Sequence, residues 1–400
     1  MSDFIYPQEA VVDWGLLITI YPYITGLVAG AFIVSSLYHV FGISSLKPVA
    51  RFSLITALAF LLVSPLPLLV HLGRPERALE MFLRPNLVSA MSGFGYIWLF
   101  YLLLVLFEVW LVFRPDIVGY AGSATGVMKR VYTLLSLGVT DLSEATLAVD
   151  KRLIRLLAII GVPVACLLHG YVGFIFGAIK ANAWWSTPLM PVIFLLSAIV
   201  SGIALLVILY VAATRIRRMP LDRECLSTMS VWLGGFLTLA LLMEGLEIVS
   251  MLYESEESWE MIRRLITERL ALSYFGIQFG MGSILPLIVL AGVHLAKLKG
   301  MLRSALIVGA SASVLIGVFA MRWNVVVGGQ LISKSLRGFT DYVPTWLGTG
   351  GLLMATGLML LPFIILAVMV LVIPPWERRE EATPGRRNFS FETTGTRKNP

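Results

Sequence analysis

This 400-residue chain predicts an all-α fold, a polytopic membrane bundle of about nine transmembrane helices, and three observations lead there. Hydrophobic residues make up 58% of the chain and charged residues only 14%. Apolar runs recur at the length of roughly 20 residues that a helix needs to cross a bilayer. Lys and Arg crowd into alternate connections, as they do in a chain threaded repeatedly through a membrane.

The spans follow in order. The first, about 15–42, comes after a stretch that carries Asp3, Glu9 and Asp13 but no Lys or Arg, so no cleavable signal is expected and this span targets the chain itself. The second, about 50–71, ends in the run His71-Leu-Gly-Arg-Pro-Glu-Arg77. The third, about 92–113, stops at Arg114, and the fourth, about 154–178, follows Lys151 and Arg152. Between them lies a segment, about 114–153, on the cytoplasmic side. Its apolar patterns at 127–137 and 147–157, interspersed with charge, predict a helix lying along the interface. The fifth and sixth spans, about 190–214 and 229–253, flank a turn holding Arg215, Arg217, Arg218 and Arg223. The stretch 254–270, rich in Glu and Arg, reads as a short helix that is solvated or docks a partner. The seventh and eighth, about 272–296 and 303–322, are joined through Lys297 and Lys299, and the ninth, about 348–373, ends at Pro374 and Pro375. Residues 1–376 thus form one transmembrane domain, and 377–400, mixing charge with Gly, Thr and Pro, form a disordered cytoplasmic tail.

Counting basic residues sets the orientation. With the N-terminus outside, 21 of the 31 Lys and Arg fall on the inner side, six of them after Trp376. That satisfies the positive-inside rule and puts the C-terminus in the cytoplasm, as nine crossings require. The net charge of +7 is therefore a topology signal, and nucleic acid is not needed to explain it.

Sorted by depth, the polar residues of the spans converge on the outer side: Tyr21, His71, Arg74, Asn86, Ser92, His169, Tyr171, Glu244, Glu247, Gln278, Arg322 and Asn324. Each has a plainer reading. Arg74 and Arg77 can snorkel at the membrane edge, Tyr21 can sit in an aromatic belt, and His169 can donate to a backbone carbonyl. Glu244 and Glu247 are harder to dismiss, because two carboxylates three residues apart in a span need protonation, water or a cation, for which Arg322 is a candidate. Proton-handling groups beside the walls Trp184, Trp185 and Trp323 suit a quinone headgroup, whose carbonyls need donors and whose reduction takes two protons. The chain's two cysteines, Cys166 and Cys225, form no Cys-x-x-Cys run, so no iron–sulfur cluster and no metal site is expected here. Electrons then have to come from a partner's cofactor near the outer surface. A bis-histidine haem, from His71 with His169 or His39 with His294, is the alternative, and a secondary transporter or ion channel is the alternative of another class.

Four stretches carry a resemblance to a known family: Tyr21-Pro-Tyr-Ile-Thr-Gly-Leu-Val-Ala-Gly30; His71-Leu-Gly-Arg-Pro75 with Asn86 and Ser92; His169-Gly-Tyr-Val-Gly173 running on to Trp185-Ser-Thr-Pro-Leu-Met-Pro191 and Ser197-Ala-Ile-Val-Ser-Gly202; and Arg322-Trp-Asn-Val-Val-Val-Gly-Gly-Gln330. In this order they resemble the NrfD/polysulfide-reductase membrane-subunit family, which includes the membrane subunits of periplasmic uptake hydrogenases and of alternative complex III. The resemblance implies a haem-free quinone-reactive subunit of a respiratory complex in a bacterial or archaeal cytoplasmic membrane. Its helices would form two bundles, and its substrate would be menaquinone or a similar quinone. A ferredoxin-like iron–sulfur subunit would dock on the periplasmic face and lead to a catalytic subunit or multihaem cytochrome. Tyr21 and Tyr171 fall where the family places headgroup donors; taken with the depth argument, Tyr21, His71, His169 and Tyr171 would hold the headgroup, Arg74, Asn86, Ser92 and Trp185 would form the rim and partner contact, and Glu244 and Glu247, which rest mainly on depth, would carry protons with Arg322 and Asn324. His71 stands where the family pattern has Asp, which exchanges an anion for a group that donates in either protonation state.

Overall fold

The computed structural model describes residues 5–7, 11–86, 88–254 and 257–376, and the 377–400 tail lies outside it. Among the described residues no β-strand forms beyond one isolated bridge, Ile332 to Phe339. The helices are α1 (Leu16–His39), α2 (Lys47–Val63), α3 (Leu66–His71), α4 (Glu80–Leu83), α5 (Ala90–Ser123), α6 (Gly126–Leu135), α7 (Glu144–Gly177), α8 (Met190–Ile216), α9 (Arg223–Glu254), α10 (Glu257–Arg264), α11 (Leu285–Leu295), α12 (Gly300–Val326) and α13 (Leu352–Val372). Among the described residues, nine helical stretches are long and apolar enough to cross a membrane, as the sequence predicts. The protein is a multi-pass, all-helical integral membrane protein. We call the side where α1 begins the N-terminal face and the side where α13 ends the C-terminal face.

α1 is the axis of the molecule. Its membrane window is buried throughout, packed mainly by α8, α2 and α7. Lipid offers apolar side chains no less apolar a partner than another helix does, so close packing has to hold the bundle together. Gly30 of α1 and Gly202 of α8 supply it: a Cβ on Gly30 would stand 2.5 Å from the Ile199 carbonyl and 2.6 Å from the Gly202 Cα. Gly282 and Gly317 make an equally tight backbone contact in the second half of the chain.

Two departures from the sequence reading have physical causes. The second span breaks at Ser64-Pro65, where α2 ends and the short α3 restarts before the turn at Gly73, whose φ is +68°. The segment 114–153 is not one interfacial element. Residues 126–135 do form the amphipathic α6, but 114–123 extend α5 and 147–157 belong to α7. α5 and α7 are each 34 residues long. At 1.5 Å per residue that is about 50 Å, well beyond the roughly 30 Å apolar core. The reason is a buried ion pair: Arg114 Nε donates to Asp150 Oδ2 at 2.9 Å and Arg114 Nη1 to the Asp141 carbonyl at 2.7 Å. Charges that look solvated in sequence are spent on each other.

At the N-terminal face α10 carries the exposed pair Arg263–Glu260, and Arg264 reaches Glu268. Its other side buries Met261 and Ile262. The seventh span opens as a π-helix, Leu272–Ile284, before continuing as α11.

Candidate functional site

Near the N-terminal face, the first turn of α5 meets two tyrosines. Tyr21 is 2% exposed, its ring stands edge-on to Phe94 at 5.2 Å, and its hydroxyl is buried without a hydrogen-bond partner. Tyr171 is half-buried, with its hydroxyl close against Gly93, where an added Cβ would stand 2.2 Å from it. Ser92 is buried in the same turn, and Ser89 Oγ accepts from its N–H to cap the helix. The stretch between α3 and α5 folds over this turn: Tyr96 donates to the Met81 carbonyl at 2.7 Å.

The remaining members of the expected headgroup site lie elsewhere. His71 and Arg74 are exposed at the end of α3, and Asn86 is exposed with its Oδ1 accepting from the Val88 N–H. His169 is 2% exposed, with Nδ1 2.8 Å from the Ala165 carbonyl and Nε2 against the Thr25 carbonyl. It therefore clamps α7 to α1 and turns neither nitrogen towards Tyr21's hydroxyl or a ligand. His71 and His169 are thus not opposed as a haem would require. His294 is hydrogen-bonded with Ser230, away from the cavity that His39 lines.

The second group is a connected relay. Gln278 Nε2 donates to Glu244 Oε2 at 2.8 Å, Asn324 Nδ2 donates to Gln278 Oε1 at 2.8 Å, and Ser273 Oγ donates to Asn324 Oδ1 at 2.7 Å. Glu244, Gln278 and Asn324 are all buried. A void of about 20 Å³, the size of one water, touches Glu244, Glu247, Gln278 and Asn324. Glu247 also borders a cavity of about 730 Å³ open at the N-terminal face. Trp14, Trp185 and Trp259 contribute to its walls, with Asn182 and Gln330. Trp14 stacks on Trp185 at 5.3 Å, and Trp185 Nε1 donates to the Val325 carbonyl at 2.5 Å. Glu247 therefore faces both the interior relay and the open cavity.

Arg322 is within electrostatic reach of both groups, through Tyr21 and Glu244. It is 1% exposed, and its Nη2 donates to Ser197 Oγ at 2.7 Å and to the Phe194 carbonyl at 3.2 Å. The guanidinium lies 3.8 Å over the Phe194 ring, a cation–π contact. Among the described residues no carboxylate lies within ion-pair distance of it; Glu244, Tyr21 and Tyr23 are its electrostatic neighbours. Sequence reasoning placed Glu244, Glu247, Arg322 and Asn324 at one depth, and the structure brings Glu244 and Asn324 into one network. Ser273 and the bridging role of Gln278 were missed. The signal that could have found them was the glycine-rich Phe275-Gly-Ile-Gln-Phe-Gly-Met-Gly282, which reads poorly as a plain span.

A bundle of this kind, with interior carboxyls and amides close to a cavity at one face, defines a class: a multi-pass helical membrane protein with a buried polar network near one surface. Residues 7–334 match the family model described as polysulphide reductase, NrfD, and the chain belongs to that family. It is 28% identical over 387 residues to a selenate reductase subunit of Mesobacillus selenatarsenatis, covering 92% of this chain and 87% of that one. It is 29% identical over 310 residues to a putative dimethyl sulfoxide reductase membrane subunit of Halobacterium salinarum, covering 77% and 67%. It is 24% identical over 241 residues to an Hdr-like menaquinol oxidoreductase integral membrane subunit of Archaeoglobus fulgidus, covering 59% and 52%. The protein is thus an NrfD-family membrane subunit of the kind found in reductase and oxidoreductase complexes.

Proposed function

We propose that this chain is the quinone-reactive subunit of a respiratory oxidoreductase, with its N-terminal face on the periplasmic side and an iron–sulfur subunit docked there. The observation that carries the reading is Arg322, a buried cation within electrostatic reach of both the Tyr21 and Tyr23 phenols and Glu244 of the relay. A quinone carbonyl gains negative charge as it accepts electrons, and a fixed cation with an adjacent O–H donor stabilises that charge in a low-dielectric site. Tyr21 and Tyr171 would orient the headgroup. Glu244 and Glu247 would pass protons between it and the open cavity. The exposed His71, Arg74 and Asn86 suit the partner's docking surface, whereas Trp185 is buried in the cavity wall. A relative named for menaquinol supports menaquinone as the substrate class.

The test is to purify the chain with its partner subunits, extract quinone and assay quinone-dependent turnover. Tyr21→Phe should lower turnover at least tenfold while the complex keeps its full set of subunits. A complex that contains no quinone and turns over none overturns the reading.

A further inference from the structure

A cavity of about 590 Å³ opens at the C-terminal face, and the proposed function leaves it unused. α2 begins at its Lys47, and α8 ends at Ile216, just past its Thr214, so the cavity sits where the spans end. Lipid headgroups lie at that level. The wall is of two kinds: Leu111 and Val112 of α5 and Ile154 of α7 are apolar, whereas Lys47, Arg51 and Lys151 are cationic. Asp116, Asp150 and Asp222 also line it, and each is already engaged by the protein. Asp116 pairs with Arg51, and Asp150 accepts from Arg114 Nε at 2.9 Å. Asp222 Oδ1 accepts from the Glu224 and Cys225 N–H groups at 2.9 and 3.0 Å, at the start of α9. Arg114 behind Asp150, and Arg217, whose guanidinium lies 5.2 Å over the Trp376 ring, leave cations in excess around the cavity.

Two donors of the wall residues lack an acceptor. Arg51 gives its Nη2 to Asp116 and lies 4.4 Å over the Phe113 ring, but its Nε is covered and unbonded. Trp376, also in the wall, stacks on Phe52 at 5.2 Å, and its Nε1 is likewise covered and unbonded. A covered N–H without a partner destabilises the fold, so these groups call for an acceptor that the protein does not supply.

We infer that this cavity binds an anionic phospholipid of the leaflet at the C-terminal face. Its phosphate meets Arg51, Lys47 and Lys151, and its glycerol and first methylenes lie against Leu111, Val112 and Ile154. Basic pockets between spans are sites where anionic headgroups settle. A phosphodiester is negative and its phosphate oxygens only accept, which matches a wall with excess cations and unmet N–H groups. Free phosphate matches the charged part alone and leaves the apolar wall without a partner. A zwitterionic headgroup brings an ammonium that the excess cations repel. The lipid ties α2, α5, α7 and α8 to Trp376, beyond the end of α13, and it does so whether or not the chain handles quinone.

The experiment uses the full chain, purified in detergent and stripped of lipid, with thermal unfolding followed as each probe is titrated. The probes are a phosphatidylglycerol, the phosphatidylcholine with the same chains, and inorganic phosphate. A ligand that binds only the folded state raises the unfolding midpoint as it saturates its site. Phosphatidylglycerol should raise it, and the other two should leave it unmoved. Lys47→Gln with Lys151→Gln should weaken the apparent affinity about tenfold or more. The same change at Lys129 and Arg130, exposed on α6 at the same face, should leave the affinity native. Leu147→Trp keeps every charge but fills part of the cavity, and it should also weaken binding, which covers the case where the lysine variant fails to fold. An equal rise with phosphatidylcholine or with inorganic phosphate overturns the inference. So does native affinity in the lysine variant and in Leu147→Trp, or an equal loss in the α6 variant.

Discussion

Replacing Glu244 separates the chemical from the structural part of the relay. Gln278 Nε2 donates to one of its oxygens at 2.8 Å, and Arg322 lies close enough to feel its charge. Glu244→Gln keeps an acceptor oxygen for Gln278 and removes the site that holds a proton. Glu244→Ala also removes the acceptor and leaves a buried amide N–H unsatisfied, which costs about 1–3 kcal/mol. The Gln variant should therefore melt like the native protein, whereas the Ala variant should lose about that much stability. Both should lose quinone turnover by roughly 10²- to 10⁴-fold, the usual contribution of a positioned proton donor or acceptor. The assays are unfolding of the purified subunit in detergent and steady-state quinone turnover of the complex. Native turnover in Glu244→Gln would refute the relay, and native stability in Glu244→Ala would refute the hydrogen-bond accounting.

Arg114→Met should destabilise the chain by about 3–5 kcal/mol by leaving Asp150 charged and unpaired, and Arg114→Met with Asp150→Leu should recover much of it; detergent unfolding of both variants decides this. Gly30→Leu should prevent the α1–α8 crossing, so the variant should fail to accumulate as a folded monomer in size-exclusion chromatography; a native profile would contradict the close approach. At the connection before α7, a hydrogen bond from Thr146, with others from Ser143, holds the Asp141 carboxyl below the usual carboxylate range. A depressed value means that its stabilisation is present above the ordinary carboxylate range and lost as pH falls through the folded-state value. Asp141→Asn should therefore differ from the native protein at neutral pH and converge with it in acid, as followed by unfolding across pH.

Much of the fold was legible because a membrane span announces itself by length and apolarity. α8, with Arg215 near its end, closely keeps its expected bounds, whereas α5 and α7 overrun theirs by many residues. The overrun was invisible because Arg114 and Asp150, 36 residues apart in sequence, look like interface charges until they are seen to pair. The site was legible in depth but not laterally. Depth grouped Tyr21, His71 and His169, yet helix rotation buries the phenol, exposes His71 and turns His169 onto a carbonyl. Gln278 joins Glu244 to Asn324 from a π-helical stretch, and a helix of altered winding leaves no clear period in its residues.

That winding makes the relay sensitive to length as well as to composition. Each residue in an ordinary helix turns the chain by roughly 100°. Excising a single residue between Leu272 and Gln278 would swing the amide far off its line to Glu244 even though no member of the network had been replaced. Among homologues, a one-residue gap here would separate chains that keep this wire from chains that have cut it, and substitution tables would record nothing.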